Sequence, residues 1–206
     1  DAADYIDINP NDGDTGVGFG ILKDELLILK KNRVWSLTGF GASDFTVADM
    51  GERVSGMGAQ SRKSIIETGN DVYFLSFWGN IPHFRSIQRT RYGAIVASSI
   101  VSDPITATMA GLEQSQLGKC AGIFDGRKIW WGVVDSGTYN NLVLVYDTVT
   151  NGWSRHTGIN AACWAISSLV SYNKMYFGEA SNNAKTFVLD SSTSDNSVAI
   201  DMQFKS

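Results

Sequence analysis

The sequence predicts an all-β fold, on three observations. Glycine is abundant, with 21 copies among 206 residues, while proline appears only three times. Charged residues make up 18%, below the roughly 25% usual in soluble domains, and aromatics reach 11% with six tryptophans. Short runs of β-branched and aromatic residues are separated by Asp-Gly and Gly-Asn turns, which are hairpin signals. At 43% hydrophobic residues the chain can bury a sizeable core, which excludes wholesale disorder. The same composition excludes a coiled coil, a long-helix bundle and a collagen-like chain.

Taken in order, the strands form an internal repeat. ELLILKKNRVWSL (Glu25 to Leu37) holds two apolar runs around a Lys31–Asn32 turn. NDVYFLSFWGNIPHF (Asn70 to Phe84) repeats the pattern around Gly79–Asn80. GRKIWWGVVDSGTYNNLVLVYD (Gly126 to Asp147) has a longer polar loop, and YNKMYFGEASNNAKTFVLD (Tyr172 to Asp190) a shorter one. Each copy follows a further apolar stretch: FGIL, SII, AGIF and ISSLV. Each unit is therefore an antiparallel meander of at least three strands. Corresponding strands begin at Leu26, Val72, Ile129 and Met175, about 46, 57 and 46 residues apart. That period predicts a β-propeller of four or five blades, one domain over residues 1–206. A fifth blade needs the end segments YIDI and VAIDMQF to share blades. A β-sandwich is the alternative, although its strands do not recur as matched units at a long period.

VYFLSF and IWWGVV are apolar on both faces, as strands sandwiched between neighbouring sheets require. KTFVLD and YIDI alternate, as outer strands do. In VYDTVTNGWSR a polar turn leads to Trp153, placed to pack over a sheet edge. One short helix is predicted in the extra length between the second and third copies. Asp103 caps it, Pro104 fits its first turn, Ile105, Met109 and Leu112 form a buried face, and Gly118 ends it after Gln116. Cys120 and Cys163 match no metal or redox spacing and read as buried thiols.

The search for chemistry returns little. His83 and His156 have no Cys or carboxylate neighbours at ligand spacing, so no metal site is expected. There is no nucleophile elbow, P-loop or dinucleotide fingerprint. GVGFG (Gly16 to Gly20) leads into a strand, not a helix, so turn flexibility explains it better than phosphate binding. A glycoside hydrolase needs two carboxylates about 5 to 9 Å apart. The candidates Asp125, Asp135, Asp147, Glu179 and Asp190 fall mostly in turns, where Asp bonds the local backbone. Adjacent Trp130 and Trp131 face opposite sides of a strand, one between sheets and one partly exposed. Trp35 and Trp78 read as core or turn-packing residues. A sugar-binding surface is the second alternative.

The net charge of −4 excludes coating of nucleic acid by bulk attraction. One basic cluster stands against that background: HFRSIQRTR carries Arg85, Arg89 and Arg91 with no acid nearby. It reads either as a solvated edge or as a contact to an acidic partner subunit or to DNA. No apolar stretch approaches the ~20 residues of a membrane span. The chain begins at Asp1, as a processed chain or a piece of a longer one would.

The run from Asp12 to Gly39, followed by GAQSRKSIIETGNDVYFLSFWG (Gly58 to Gly79), resembles the propeller of tailed-bacteriophage tail proteins. The positions that carry the likeness are Lys30, Trp35, Ser64, Ile65, Gly69, Asn70, Asp71, Tyr73, Phe74, Leu75 and Ser76. The closing NSVAIDMQFKS is similar to the final strand of such propellers. The likeness is direct from Asp12 to Phe84 and architectural beyond. It implies a non-catalytic virion component of the tail, nozzle or tail-tip type, assembled in the host cytoplasm. No cofactor is implied, and the partners would be other tail subunits, with DNA or a host-surface glycan as further candidates. One departure is Phe77–Trp78–Gly79, where the family carries Ser-x-Asp-Gly, and that turn is expected to hold a contact of its own.

Overall fold

The computed structural model describes residues 6–41, 44–50, 57–89, 95–167, 174–181, 185–189, 194–195, 198–199 and 202–203. Four antiparallel sheets follow one another along the chain. Sheet 1 is β1 (Gly16–Leu22), β2 (Glu25–Lys30), β3 (Val34–Thr38) and β4 (Thr46–Asp49) in sequential order. Sheet 2 is β5 (Ile66–Glu67), β6 (Asp71–Trp78), β7 (Ile81–Arg89) and β8 (Ile95–Ile100). Sheet 3 is β9 (Ala121–Phe124), β10 (Lys128–Val133), β11 (Leu142–Asp147) and β12 (Trp153–Thr157). Sheet 4 is β13 (Ala161–Ser167), β14 (Lys174–Glu179) and β15 (Thr186–Val188). A small hairpin of β16 (Ser194–Asp195) and β17 (Val198–Ala199) follows, and β18 (Met202–Gln203) pairs with β12 on the outer edge of sheet 3.

The matched hairpins of the sequence are the β2–β3, β6–β7, β10–β11 and β14–β15 pairs. The Gly79–Asn80 turn joins β6 to β7, and Gly126 before β10 has φ +100°, which an L side chain rarely adopts. Three elements differ from expectation. ISSLV is expected as the strand before the fourth hairpin; β13 contains its Ile166 and Ser167 but starts five residues earlier, at Ala161, and 168–173 fall outside the described residues. Of YIDI, residues 6–8 are not strand, and Tyr5 lies outside the described residues. The VAIDMQF end supplies β17 and β18, and of these β18 extends sheet 3.

Packing is two-sided because β-strand side chains alternate. On β6, Val72 and Phe74 join Leu22, Leu27, Leu29 and Ile87 between sheets 1 and 2. Tyr73 and Leu75 point the other way and join Ile129, Trp131, Leu142 and Leu144 between sheets 2 and 3. On β10, Trp130 turns from Trp131 toward sheet 4 and packs with Val143, Val145 and Phe177. Both tryptophans are buried, where one was expected to be partly exposed, because sheet 3 is covered on both faces. Trp153 stacks over Trp131 and Phe84, with ring centroids 5.9 and 5.8 Å away, and donates its indole N–H to Val101 O at 2.9 Å.

GVGFG is strand, not turn. A Cβ on Gly18 would lie 2.8 Å from Ile65 Cδ1, and one on Gly20 would lie 2.8 Å from Val72 Cγ1. These glycines let β1 approach sheet 2 closely.

The predicted helix is interrupted. A 3-10 turn at Asp103–Ile105 leads into α1 (Thr106–Ala110), and a second 3-10 turn covers Gln114–Lys119. Gly111 ends α1, and Glu113 starts the next turn by accepting from Ser115 N–H at 3.3 Å. Asp103 is not the cap, since Ser102 precedes the first turn and makes no side-chain cap bond. Ile105, Met109 and Leu112 nevertheless pack on the core between sheets 2 and 3. Cys120 is buried, but Cys163 is exposed, because it sits on the β13 face that points away from sheet 3.

A cationic cleft at the starts of the sheets

The basic cluster singled out in the sequence is not an exposed edge at its first member. Arg85 lies on β7 on the face shared with Ile87 and is 2% exposed. Its guanidinium sits 5.1 Å from the Trp78 ring centroid and donates through Nη1 to Met57 Sδ. Burial pulls its pKa down, with the Asp103 charge opposing that shift. The Phe77–Trp78–Gly79 segment holds a contact of its own, since the Trp78 ring lies against this buried cation. Arg89 pairs through its backbone with Ile95, and Arg91 lies outside the described residues.

The candidate carboxylates are committed to turns and ion pairs. Asp125 accepts from the N–H groups of Arg127 and Lys128 and from the Trp130 indole. Asp135 pairs with Arg155 at 3.0 Å and Asp147 with Arg127 at 2.8 Å. Glu179 differs, since its Oε2 is buried without a hydrogen bond. Asp190 lies outside the described residues. Among the described residues no group of three His, Cys, Asp or Glu side chains is placed to hold a metal ion. His83 and His156 are both buried, His83 Nδ1 lying 3.4 Å from Ser102 Oγ, and His156 against the Trp130 ring. Burial and the Arg85 charge push the His83 pKa down.

The residues that do converge come from one end of sheets 2, 3 and 4. Ser61, Arg62 and Lys63 precede β5, Gly118 and Lys119 precede β9, and Thr138, Tyr139 and Asn140 form the β10–β11 loop. With Ala162 and Ala180 they line a cleft of about 450 Å³. Three of these residues are cations and none is an acid. Lys63 Nζ reaches Ala162 O at 3.5 Å, and Lys119 Nζ donates to Thr138 O, so both ammonium groups are tethered to the cleft wall. None of Arg62, Lys63 and Lys119 forms an ion pair with a described residue. Tyr139 is 42% exposed at the rim.

A hydrogen-bonded frame fixes the wall. Asn140 is 2% exposed and its Nδ2 donates to Lys119 O at 2.9 Å and Ala161 O at 2.7 Å, joining sheet 3 to sheet 4. Its Oδ1 is buried with no hydrogen-bond partner. Ser61 Oγ donates to Cys120 O at 2.7 Å, joining sheet 2 to sheet 3. Trp164 Nε1 donates to Ala121 O at 2.9 Å.

Sequence reasoning missed these cations because the adjacent pair Arg62–Lys63 and the single Lys119 stand more than fifty residues apart. A signal was present: SRKS ends one residue short of β5 and LGKC stands directly before β9, the first strands of successive repeats. Equivalent places in successive repeats lie at the same end of successive sheets. No helix among the described residues is long and apolar enough to cross a membrane. No protein-family model matches the chain, and no curated protein is similar to it.

Proposed function

We propose that this chain is a β-propeller of four or five blades serving as a non-catalytic, rigid contact module of a phage virion tail. The observation that carries the reading is the run of three sheet-on-sheet cores in chain order, with β1 against β5, β5 against β9 and β9 against β13. First strands that meet in succession are what a radial fan of blades requires. A module buried on both faces of its middle sheets is stiff, and stiffness suits a load-bearing subunit. The engagement of Asp125, Asp135 and Asp147 in turns and ion pairs supports a non-catalytic role. The tail assignment itself rests on the Lys30 to Ser76 phrases, and its partners are neighbouring tail subunits. Contacts to them would use loops and exposed faces, since Arg85 is core.

Antibodies raised against the purified chain test the assignment by immunogold microscopy of phage particles grown from the source of the sequence. Gold at the tail is the expected result, and gold confined to capsids or to no virion overturns it. Of the alternatives, a glycosidase propeller is favoured by one observation, the Glu179 Oε2 that is buried without a hydrogen bond. Release of reducing ends from a polysaccharide panel, abolished by Glu179→Gln, would overturn the non-catalytic part.

A further inference from the structure

We propose that the cleft between the starts of sheets 2, 3 and 4 is a binding site for an acidic saccharide of one or two rings, carrying a carboxylate. The inference does not depend on the tail assignment. Its first ground is charge. A chain of net charge −4 gathers Arg62, Lys63 and Lys119 around one concavity with no acid in the lining. Mutual repulsion of three cations is relieved by an anion, and a guanidinium fork matches a carboxylate. The second ground is pre-organisation. Lys63 and Lys119 are tied to wall carbonyls, and the buried Asn140 amide locks Lys119 to Ala161 across two sheets. Binding there orders few side chains that are not already ordered.

The third ground separates a sugar from other anions. Tyr139 offers an exposed ring at the rim, fit to stack on the apolar face of a pyranose. The Asn140 amide, fixed by its bonds to Lys119 O and Ala161 O, gives the cleft a rigid polar wall against which a sugar ring can be held. The volume of about 450 Å³ matches a small ligand. Single-stranded nucleic acid needs a basic groove that tracks many phosphates along a row of aromatics. Three cations and one tyrosine around a single cleft do not provide that track.

Calorimetry on the whole chain tests the proposal with digalacturonate, glucuronic acid and 3′-sialyllactose, against neutral lactose and an eight-nucleotide thymidine strand. The expected result is binding of at least one acidic sugar, at least tenfold tighter than lactose. Arg62→Gln combined with Lys119→Gln should weaken it at least tenfold, and Tyr139→Ala at least threefold. Arg127→Gln, distant from the cleft lining, should change nothing. All three variants should keep the parent circular dichroism spectrum. Failure of all three acidic sugars, equal affinity for lactose, or insensitivity to the double variant overturns the proposal. Tighter binding of the oligonucleotide, lost steeply with salt, overturns it in favour of a nucleic-acid surface.

Discussion

Sheets 1 and 3 are built from the same four-strand meander, yet their apolar residues meet different fates. In sheet 3, Ile129 and Trp131 are covered by sheet 2, while Trp130 and Val143 are covered by sheet 4. In sheet 1, Leu27 and Leu29 are fully buried toward sheet 2, but Phe19 and Ile21 on the opposite face are 65% and 56% exposed. Both sheets carry apolar residues on both faces. The difference is whether a neighbour exists on each side, so burial follows position in the stack and not hydrophobicity alone. Among the described residues nothing packs on that outer face of sheet 1.

The largest effect separates the two sheets directly. Trp131 stacks on Phe84 with ring centroids 4.0 Å apart and donates its indole N–H to Ser64 O at 3.2 Å. Trp131→Ala should cost about 3–5 kcal/mol, the range for removing a large buried ring. Phe19→Ala, at an exposed position, should stay within about 0.5 kcal/mol. Urea midpoints of the two variants measure the contrast. A Phe19→Ala loss as large as that of Trp131→Ala would mean that the open face is covered in solution, as closure of a propeller ring demands.

A second effect concerns Arg85, whose sequence context of three arginines suggested a surface. Arg85→Glu would place a carboxylate against Met57 and Trp78 in the core and should cost about 3 kcal/mol or more. Arg85→Met keeps an unbranched stem of similar length and should cost markedly less. Thermal denaturation of the two variants checks this. A neutral Arg85→Glu would return the residue to the surface and restore the basic edge as a contact site.

The legible parts of the fold were those set by local chemistry. Gly79–Asn80 and Asp125–Gly126 mark hairpin turns because glycine accepts positive φ, and the near-continuous apolar run in VYFLSF marks a strand covered on both sides. The helix face of Ile105, Met109 and Leu112 was legible from its spacing, but that spacing does not mark the break at Gly111. Strands β4 and β8 escaped, since they follow their partners across connections longer than the two-residue hairpin turns that marked other strands. The burial of Arg85 and the exposure of Cys163 depend on which sheet lies opposite, and that information is not in the local sequence. The cleft was illegible for the same reason, because its cations meet only when sheets 2, 3 and 4 are set side by side.

The smallest effect is a pH dependence that distinguishes the rim of sheet 3 from its interior. Asp147 ends β11 at the surface, and its pKa is held at about 2. The main cause is the hydrogen bond from Arg127, whose Nε and Nη2 lie 2.9 and 2.8 Å from Oδ2. The N–H groups of Thr150 and Val149 add to it through Oδ1, at 3.1 and 3.0 Å. A depressed folded pKa means that the unfolded chain takes up the proton first as pH falls. The stability from this contact is therefore fully present above about pH 4, the ordinary carboxylate value, and is lost between there and about pH 2. Asp71, partly buried near the core between sheets 2 and 3, carries the opposite sign. Desolvation raises its pKa against the opposing hydrogen bond from Tyr73, so its protonation favours the folded state as pH falls. The two acids oppose one another in the parent protein, and Asp147→Asn separates them. Urea midpoints of parent and variant between pH 6 and pH 2 should differ most near neutrality and converge below about pH 3. A difference that stays constant across that range would show that the Asp147 carboxylate charge contributes nothing at the rim.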